Sequence, residues 1–413
     1  MVEKVYNWED GAVLDEHSKR KHKVLREYLS EYLRVRCQHP NQERFRIAIV
    51  DGFCGAARYS CGAAGSPIII LEVLKSAAEE LNIARRDQGL RPIQIDALVI
   101  LNDAIPGVVE LCKSNVAPIL AEIKDNATNL AVDCQFLSND FEAAYPSIKQ
   151  TIQTRGHNSN VLFNLDQCGH SKVQLRTISD ILSSYPAPEV ILTFAIQALL
   201  TFLPKTDKDE LSKRLRQFGV QIKTLDDVEE CLTNKAWLGA AERTVFDAFR
   251  GFGSFTSPFS INNPSGYRYW LLHFAKNFRA RQVYNDILHQ NSSSQAHFGR
   301  PGLNMLSYDP DQEGLLYLFE DDDRKRAIDQ LHDDIPRALA NFGDAIEMSD
   351  FYHGVYNHTP SHSDDIHQAI IDSPELSVVT PNGGPRRVAN TIRPGDVLKL
   401  TPQRNFFSVL FPK

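Results

Sequence analysis

An acidic residue and a glycine-containing turn stand at the end of the first strand candidate. The segment reads Asp51-Gly52-Phe53-Cys54-Gly55-Ala56-Ala57, and Gly65-Ser66-Pro67 follows before the next helix candidate. Glycines at such a turn let the backbone approach a ligand closely, and a helix N-terminus presents N–H groups without partners. The segment is therefore the first candidate for a cofactor-binding turn.

A second acid, Asp103, ends the next strand candidate. A nicotinamide-binding turn has GxGxxG directly after its strand and an acid about 20 residues further on. Here the glycines are Gly52 and Gly55, and Asp103 comes much later in the chain. The pattern fits S-adenosylmethionine (SAM) better: the turn wraps the methionine and ribose portions, and Asp103 accepts both ribose hydroxyls. The alternative is that Asp51 and Asp103 only cap helices.

Polar residues also follow the third and fourth strand candidates. After the third, Asp140 can accept from an adenine amino group and Phe141 can flank the base; the alternative for Asp140 is a helix N-cap, which does not exclude a ligand role. The predicted cofactor-binding residues are Asp51, Gly52, Phe53, Cys54, Gly55, Ala56, Asp103, Asp140 and Phe141. The cofactor is predicted to be SAM, and no metal is expected.

The fourth strand candidate ends in Asp166-Gln167-Cys168-Gly169, at the mouth of the sheet where the reacting centre would lie. Methyl transfer needs a lone pair aimed at the sulfonium methyl, so positioning supplies much of the rate. We predict that Asp166 orients a target amine and that Gln167 is a second contact. Cys168 is either a thiol nucleophile or, more in keeping with cysteine burial, an inert core residue.

These residues need a sheet that brings strand ends together. Short apolar runs predict strands over Phe45–Val50, Ile95–Leu101, Ala131–Leu137, Val161–Leu165 and Val190–Phe194, with helices over Ile68–Leu81, Gly107–Leu120, Phe141–Thr154 and Lys172–Ser184. A further amphipathic helix is predicted over Asp15–Val35, with a basic start. The alternation predicts a doubly wound α/β domain with its ligand at the C-terminal ends of the strands.

Beyond Pro204 the strand signal fades, and helices are predicted, among them Tyr267–Leu288. That segment interleaves aromatic and basic residues, which suits a splayed nucleic-acid strand or an extruded base; aromatic residues at helical spacing also build cores. Arg268 and Tyr269 are the candidate substrate contacts.

The C-terminal stretch 376–413 holds six Lys or Arg residues and one acid, in a molecule of net charge −7. Any nucleic-acid contact must come from such a local basic patch. Arg386, Arg387 and Arg393 follow a Gly-Gly turn that predicts a hairpin tip able to straddle phosphates; a basic surface for a protein partner is the alternative. Four nearby histidines, His353, His358, His362 and His367, indicate solvated surface rather than a metal site.

The domain prediction has five parts. They are an N-terminal helix (1–40), a Rossmann-like SAM-binding domain (41–205), a helical substrate or partner region (206–310), an acidic linker (311–334) and a small C-terminal domain of winged-helix type (335–413). The sequence also predicts a cytoplasmic protein. Its seven cysteines are scattered without a CxxC pair, it has no apolar run long enough to span a bilayer, and its first residues are acidic.

Three segments of the chain together resemble those of the three-Cys-motif partner proteins (TcmP), a bacterial and phage family. They are the turn Asp51-Gly52-Phe53-Cys54-Gly55, the segment Asp166-Gln167-Cys168-Gly169 and the segment Tyr267-Arg268-Tyr269. The resemblance covers about residues 15 to 310. It implies a class I methyltransferase-like fold and an association with radical-SAM-like proteins that bear a three-cysteine motif. Family members tend to have Asp-Pro-Phe-Gly after strand four and a more Gly/Pro-rich first turn, and this chain departs from both.

Two functions remain open at this point. The first is a SAM-dependent methyltransferase-like enzyme acting on nucleic acid or a nucleobase. The second is a non-catalytic subunit that keeps the fold and recruits or regulates a radical-SAM-like partner. The altered turn after strand four favours the subunit, whereas the acids after strands one and two favour the enzyme. A nicotinamide-linked oxidoreductase lacks its glycine fingerprint.

Overall fold

The structure is a computed structural model. It describes residues 8, 11–167, 169, 171–196, 245–247, 249–250, 254–262, 268–291, 294–295, 302–306 and 321–401. The chain divides into two units. The first contains Met1–Ile287 with Ser293–Gln295, and the second contains Leu288–Ser292 with Ala296–Lys413.

The first unit is built on one mixed sheet of eight strands. The strands are β1 (Arg44–Asp51), β2 (Gln94–Asp103), β3 (Leu130–Ser138), β4 (Asn160–Leu165), β5 (Ala187–Phe194), β6 (Phe255–Asn262), β7 (Arg268–Ala275) and β8 (Ser294–Gln295). Their order in the sheet is β3-β2-β1-β4-β5-β7-β6-β8. Strands β1 to β5 are parallel, whereas β7 runs antiparallel to both of its neighbours.

Helices alternate with the parallel strands. They are α1 (Glu16–Arg36), α2 (Ser66–Asp87), α3 (Pro106–Asn126), α4 (Phe141–Thr154) and α5 (Leu175–Ser184); α6 (Phe278–His289) follows β7. The central strands are buried on both faces, since every residue of β4 is buried and β1 is buried from Ile47 onward. That burial explains why these strands are continuous apolar runs without polar alternation. The predicted strands and helices from residue 15 to 194 and the mixed α/β class are confirmed.

The helix predicted over Tyr267–Leu288 is wrong in its first half. Residues Arg268–Ala275 form β7, and only Phe278–His289 are helical. Strand β6 was also missed, so the helical interpretation of 206–310 is wrong for both strands. Trp270, Leu272 and Phe274 are buried, and so is His273 between them. A strand buried on both faces has no period of two, so its aromatic residues were compatible with a helix.

The second unit combines helices with a small antiparallel sheet. Its elements are α7 (Asp321–Asn341), β9 (Ala345–Glu347), α8 (Met348–Val355), α9 (Ser363–Asp372), β10 (Leu376–Val379), β11 (Pro385–Arg386) and β12 (Val397–Leu400). The strand order is β11-β10-β12-β9. Helix α7 begins with Asp321, Asp322 and Asp323, and acids in a first turn stabilise a helix through its dipole. The interpretation of 321–334 as a linker is therefore wrong.

Candidate functional site

Four carboxylates follow four adjacent strands of the first unit. Asp51 ends β1, Asp103 ends β2, Asp140 is the second residue after β3, and Asp166 comes directly after β4. Asp103 is level with Ser138 across the β2–β3 pair, and Asp51 is level with Asn164 across the β1–β4 pair. Because the C-terminal ends of parallel strands meet at one edge, the sheet brings the four predicted acids to the same edge. We call them the edge carboxylates.

Asp51 is fully buried at this edge. One carboxyl oxygen accepts from the Phe53 N–H at 3.3 Å, and the other, Oδ2, has no hydrogen-bond partner among the described residues. Burial raises the pKa of Asp51 to about 7, and the nearby Ser66 and Asn164 side chains and the Phe53 N–H oppose that shift. An incompletely satisfied buried carboxyl is costly, which makes it a candidate ligand contact.

The turn after β1 is fixed by hydrogen bonds to the neighbouring strand ends. Gly52 N–H donates to the Asn164 carbonyl at 3.0 Å, and Cys54 N–H donates to the Asn102 carbonyl at 2.8 Å. A Cβ on Gly52 would lie 2.7 Å from Leu165 Cδ2, so the turn approaches the sheet too closely for a side chain. Gly55 has a φ of +57°, the left-handed region that glycine adopts without strain. The close contact at Gly52 and the positive φ at Gly55 explain why both positions are glycine.

Asp103 holds the same turn from β2. Its Oδ2 accepts from Gly55 N–H and its Oδ1 accepts from Ile105 N–H, each at 3.1 Å. Burial raises the pKa of Asp103, and the two backbone N–H groups oppose that shift. Each carboxylate oxygen has a second acceptor position, so Asp103 can hold the turn and still accept from ligand hydroxyls. The sequence predicted that Asp103 accepts from ligand hydroxyls, but it did not predict that Asp103 holds the turn.

Asn102 is a residue that the sequence interpretation missed. Its side-chain amide donates to the Gly52 carbonyl at 3.1 Å and to the Asn139 carbonyl at 2.9 Å, so it joins the turns after β1 and β3. Its Oδ1 has no hydrogen-bond partner among the described residues. The only signal in the sequence was a polar residue at the end of an apolar strand.

Asp140 and Phe141 stand at the start of α4. Phe141 is buried, its ring lies 5.7 Å from the Phe53 ring, and its Cδ2 would be 2.8 Å from a Cβ on Gly52. Asp140 occupies the N-cap position, but its exposed side chain makes no capping hydrogen bond. The carboxylate of Asp140 is therefore not committed to the helix.

Asp166 is paired with a residue from the other end of the unit. Lys21 of α1 places its Nζ 2.6 Å from Asp166 Oδ1 and 2.7 Å from Oδ2. Burial by itself would raise the pKa of Asp166, but the Lys21 ammonium outweighs it and holds that pKa below its usual value. Asp166 is thus ionised at neutral pH, as orienting an amine requires. Lys21 was known from the sequence only as part of a basic helix start.

Gln167 is buried and faces the loop that follows it. Its Oε1 accepts from the N–H groups of Lys172 and Val173 at 2.9 and 3.1 Å, and its Nε2 has no partner among the described residues. The carbonyl end of Gln167 is therefore structural, and only the amide nitrogen is left for a ligand. Cys168 lies outside the described residues.

The substrate candidates of the first unit are described only in part. Arg268 begins β7, but its side chain is outside the described part of the structure. The ring of Tyr269 stacks on His17 of α1, with centroids 4.7 Å apart and an angle of 11° between the planes. Since β7 is antiparallel, Tyr269 lies at the same edge of the sheet as the strand ends that carry the acids.

The arginines of the second unit have different surroundings. Arg386 makes a bidentate ion pair with buried Asp396, through bonds of 2.9 and 3.1 Å. Arg387 is exposed, and Arg393 donates to the carbonyls of Asn390 and Ile392. Arg386 is thus a structural residue that anchors the β10–β11 hairpin to the loop before β12, which leaves Arg387 and Arg393 to face solvent.

Two consecutive helices followed by a β-hairpin on a small sheet define the winged helix-turn-helix class of domain. Residues 307–383 match the model of a family described as a GMT-like wHTH domain. The winged-helix class predicted for the C-terminal domain is confirmed, and the matched residues begin before the predicted boundary at residue 335. No curated protein matches the chain. The match does not reach the sheet of the first unit, so the resemblance to three-Cys-motif partner proteins stays a prediction.

Among the described residues, no helix is long and apolar enough to cross a membrane. The same part of the chain contains no group of three or more His, Cys, Asp or Glu side chains arranged to hold a metal ion.

Proposed function

We propose that this chain is a SAM-dependent methyltransferase that acts on nucleic acid or a nucleobase. The observation that carries the proposal is the set of edge carboxylates around a glycine turn, with one oxygen of buried Asp51 left unbonded. SAM carries a sulfonium and an ammonium group, so an edge lined by carboxyl groups suits it. The pyrophosphate of a nicotinamide dinucleotide would be repelled by the same carboxylates.

Sheet topology supports the same proposal. The order β3-β2-β1-β4-β5-β7-β6, with β7 antiparallel to its neighbours and β8 added beside β6, is consistent with the class I methyltransferase fold that the family resemblance implies. Ligands of open α/β sheets bind outside the C-terminal ends of the strands, near the point where the strand order reverses. In this sheet that point lies between β1 and β4, beside Asp51 and Asp166.

Each predicted residue has a role in this proposal. The turn from Asp51 to Ala56 holds the methionine portion, Asp103 accepts from the ribose hydroxyls, and Asp140 with Phe141 holds the adenine. Bound SAM would supply an activated methyl group. Asp166, kept ionised by Lys21, accepts a hydrogen bond from the target amine and aims its lone pair at that methyl group.

The winged helix-turn-helix class of the second unit favours nucleic acid as the substrate or as the place where the substrate is found. Exposed Arg387 and Arg393, which follow β11, are its candidate phosphate contacts.

A second candidate function is favoured by the turn after β4. Asp166 is held by Lys21 through both oxygens, and Gln167 uses its carbonyl oxygen for the loop backbone. These contacts also fit a non-catalytic subunit that keeps the sheet and serves a radical-SAM-like partner. Binding of SAM without methyl transfer to any nucleic acid would favour this candidate.

The test is calorimetric titration of the purified chain with SAM, S-adenosylhomocysteine and NAD. We expect binding of the two SAM-type ligands, no binding of NAD, and loss of SAM binding in Asp51→Ala and Asp103→Ala. Asp125→Ala, which removes an exposed acid near the end of α3, is the matched control and should bind as the wild type does. If the wild type binds neither SAM-type ligand, the proposal is wrong; if it binds them, methyl transfer to DNA and RNA is assayed next.

A further inference from the structure

Three aromatic side chains form a continuous row near the edge carboxylates. The Trp8 and Tyr59 rings have centroids 5.2 Å apart, and the His22 and Tyr59 rings are 5.7 Å apart. We call Trp8, Tyr59 and His22 the aromatic wall. Its members come from the segment before α1, from the loop after β1 and from α1 itself.

The aromatic wall extends from the glycine turn to the reacting centre. At one end, Trp8 lies against the turn: a Cβ on Gly55 would be 2.4 Å from its Cζ2 atom. At the other end, His22 follows Lys21, which holds Asp166, and the charge of Asp166 acts on the His22 ring.

The segment that carries Trp8 is attached to the loop that carries Tyr59. Ser60 donates to the Ala12 carbonyl through its N–H at 2.9 Å and through its Oγ at 3.0 Å. A Cβ on Gly11 would lie 3.1 Å from Ser60 Cβ, so the two segments are in close contact. These contacts hold Trp8 and Tyr59 in register with each other.

Aromatic faces carry partial negative charge and attract cations that lie over them. Beside this wall stand Asp103, which accepts from the N–H of the Gly55 that Trp8 contacts, and Asp166, whose charge acts on the His22 ring. Burial lowers the pKa of His22 to about 4, so its ring is neutral at pH 7 and does not repel a cation. Both features favour a ligand with positive charge between the glycine turn and the end of β4.

We propose that the aromatic wall recognises the sulfonium group of SAM, so that the site distinguishes the charged methyl donor from its neutral product. This inference rests on the proposed SAM-binding function and assigns to Trp8, Tyr59 and His22 a role in that site. S-adenosylhomocysteine lacks the positive charge at sulfur, so it loses the attraction to the aromatic faces while keeping the contacts of its adenosine and amino-acid portions. The wall thus favours release of the product after methyl transfer.

The experiment measures the affinities of SAM, S-adenosylhomocysteine and sinefungin, which carries an ammonium group where SAM has its sulfonium, for the full-length wild type and Trp8→Leu. We expect Trp8→Leu to bind SAM and sinefungin about five-fold more weakly and S-adenosylhomocysteine with little change. Tyr59→Phe, which keeps the ring, should bind all three ligands as the wild type does.

Phe342→Leu is the matched control, because Phe342 is an exposed aromatic residue of the second unit. Equal weakening of all three ligands in Trp8→Leu would show a steric role and overturn the inference, and so would unchanged or tighter binding of SAM. If the wild type binds S-adenosylhomocysteine as tightly as SAM, charge recognition is also wrong, although SAM binding itself stands. Absence of binding by the wild type would reject the proposed function as well.

Discussion

Two carboxylates of the first unit lie in opposite electrostatic surroundings. Asp51 is buried without a cation, and burial raises its pKa to about 7. Asp166 is held by Lys21, which lowers its pKa. Asp51 therefore lowers the stability of the folded protein when it ionises, whereas Asp166 contributes stability when it ionises. A residue that destabilises the protein without its ligand is typical of a binding site.

The first prediction concerns Asp51→Asn. The pKa of Asp51 in the folded protein lies above the ordinary value of 3.8, so the wild type loses stability as pH rises from about 4 through 7. Asparagine resembles the protonated acid and removes this loss. We expect similar stability of the two proteins near pH 4 and a variant that is more stable by roughly 2–4 kcal/mol at pH 8, measured by urea unfolding without ligand. A stability difference between Asp51→Asn and the wild type that does not change with pH would contradict the raised pKa of Asp51.

The second prediction concerns Lys21→Met. The variant leaves the Asp166 carboxylate without its cation, so we expect it to lose about 1–3 kcal/mol of stability at pH 7. Because burial raises the pKa of Asp166 once Lys21 is gone, the loss of stability should be largest at neutral pH and should shrink as pH falls and Asp166 becomes protonated. Urea unfolding at several pH values measures it. In an Asp166→Asn background the same substitution should have little effect; an equal effect there would assign the loss to other contacts of Lys21.

At the scale of elements, the turn after β1 has tight contacts on one side. Gly52 faces Leu165 and Phe141. From β2, the Asn102 side chain binds the carbonyl of Gly52, and the Asp103 side chain binds the N–H of Gly55. The turn is fixed by the ends of β2 and β4, which lie on either side of β1. Its shape therefore depends on how the three strands are paired.

The third prediction is that Gly52→Ala destabilises the protein by about 1–3 kcal/mol and weakens SAM binding. The added Cβ would be 2.7 Å from Leu165 Cδ2, so the sheet or the turn must move. Gly395→Ala is the matched control, because no atom lies within 4 Å of its added Cβ. Thermal unfolding and SAM titration of both variants measure the effect, and equal stability of the two would refute the close approach.

At the scale of the molecule, charge is unevenly placed. The net charge of the chain is −7, and over residues 321–401 there are eight Lys or Arg residues and fourteen Asp or Glu residues. Residues 348–372, which contain α8 and α9, include four aspartates and no Lys or Arg. A helix pair without lysine or arginine cannot neutralise phosphates, so contact with nucleic acid would need basic residues elsewhere in the unit, in α7 or in the hairpin and the loop after it.

The fourth prediction compares two double variants in salt titrations of nucleic-acid binding by the full-length chain. Arg387→Ala with Arg393→Ala should weaken binding and reduce the salt slope by about two. Asp364→Asn with Asp372→Asn, on the exposed face of α9, should strengthen binding because it removes repulsion from phosphates. If the arginine pair has no effect on affinity or slope, the hairpin is not a phosphate contact.

The amino-acid sequence determined the alternating strands and helices up to residue 194 and placed acids at or just after the ends of four strands. Local patterns suffice there, because continuous apolar runs form buried parallel strands whose C-terminal ends meet at one edge. By contrast, the described side chains of β7 from Trp270 onward are buried on both faces, and its apolar residues carry no period that distinguishes a strand from a helix. The pairing of β7 with β5, and of β6 with β7, makes these segments strands.

Charge partners were decided by the tertiary structure alone. Lys21 and Asp166 are 145 residues apart, and their pairing depends on where α1 packs. Arg386 had the same local pattern as Arg387, yet only Arg386 reaches buried Asp396. A basic or acidic residue has the same sequence signal whether it meets a ligand or another side chain. Its role is set by the distance and burial of its partner, which a local pattern does not contain.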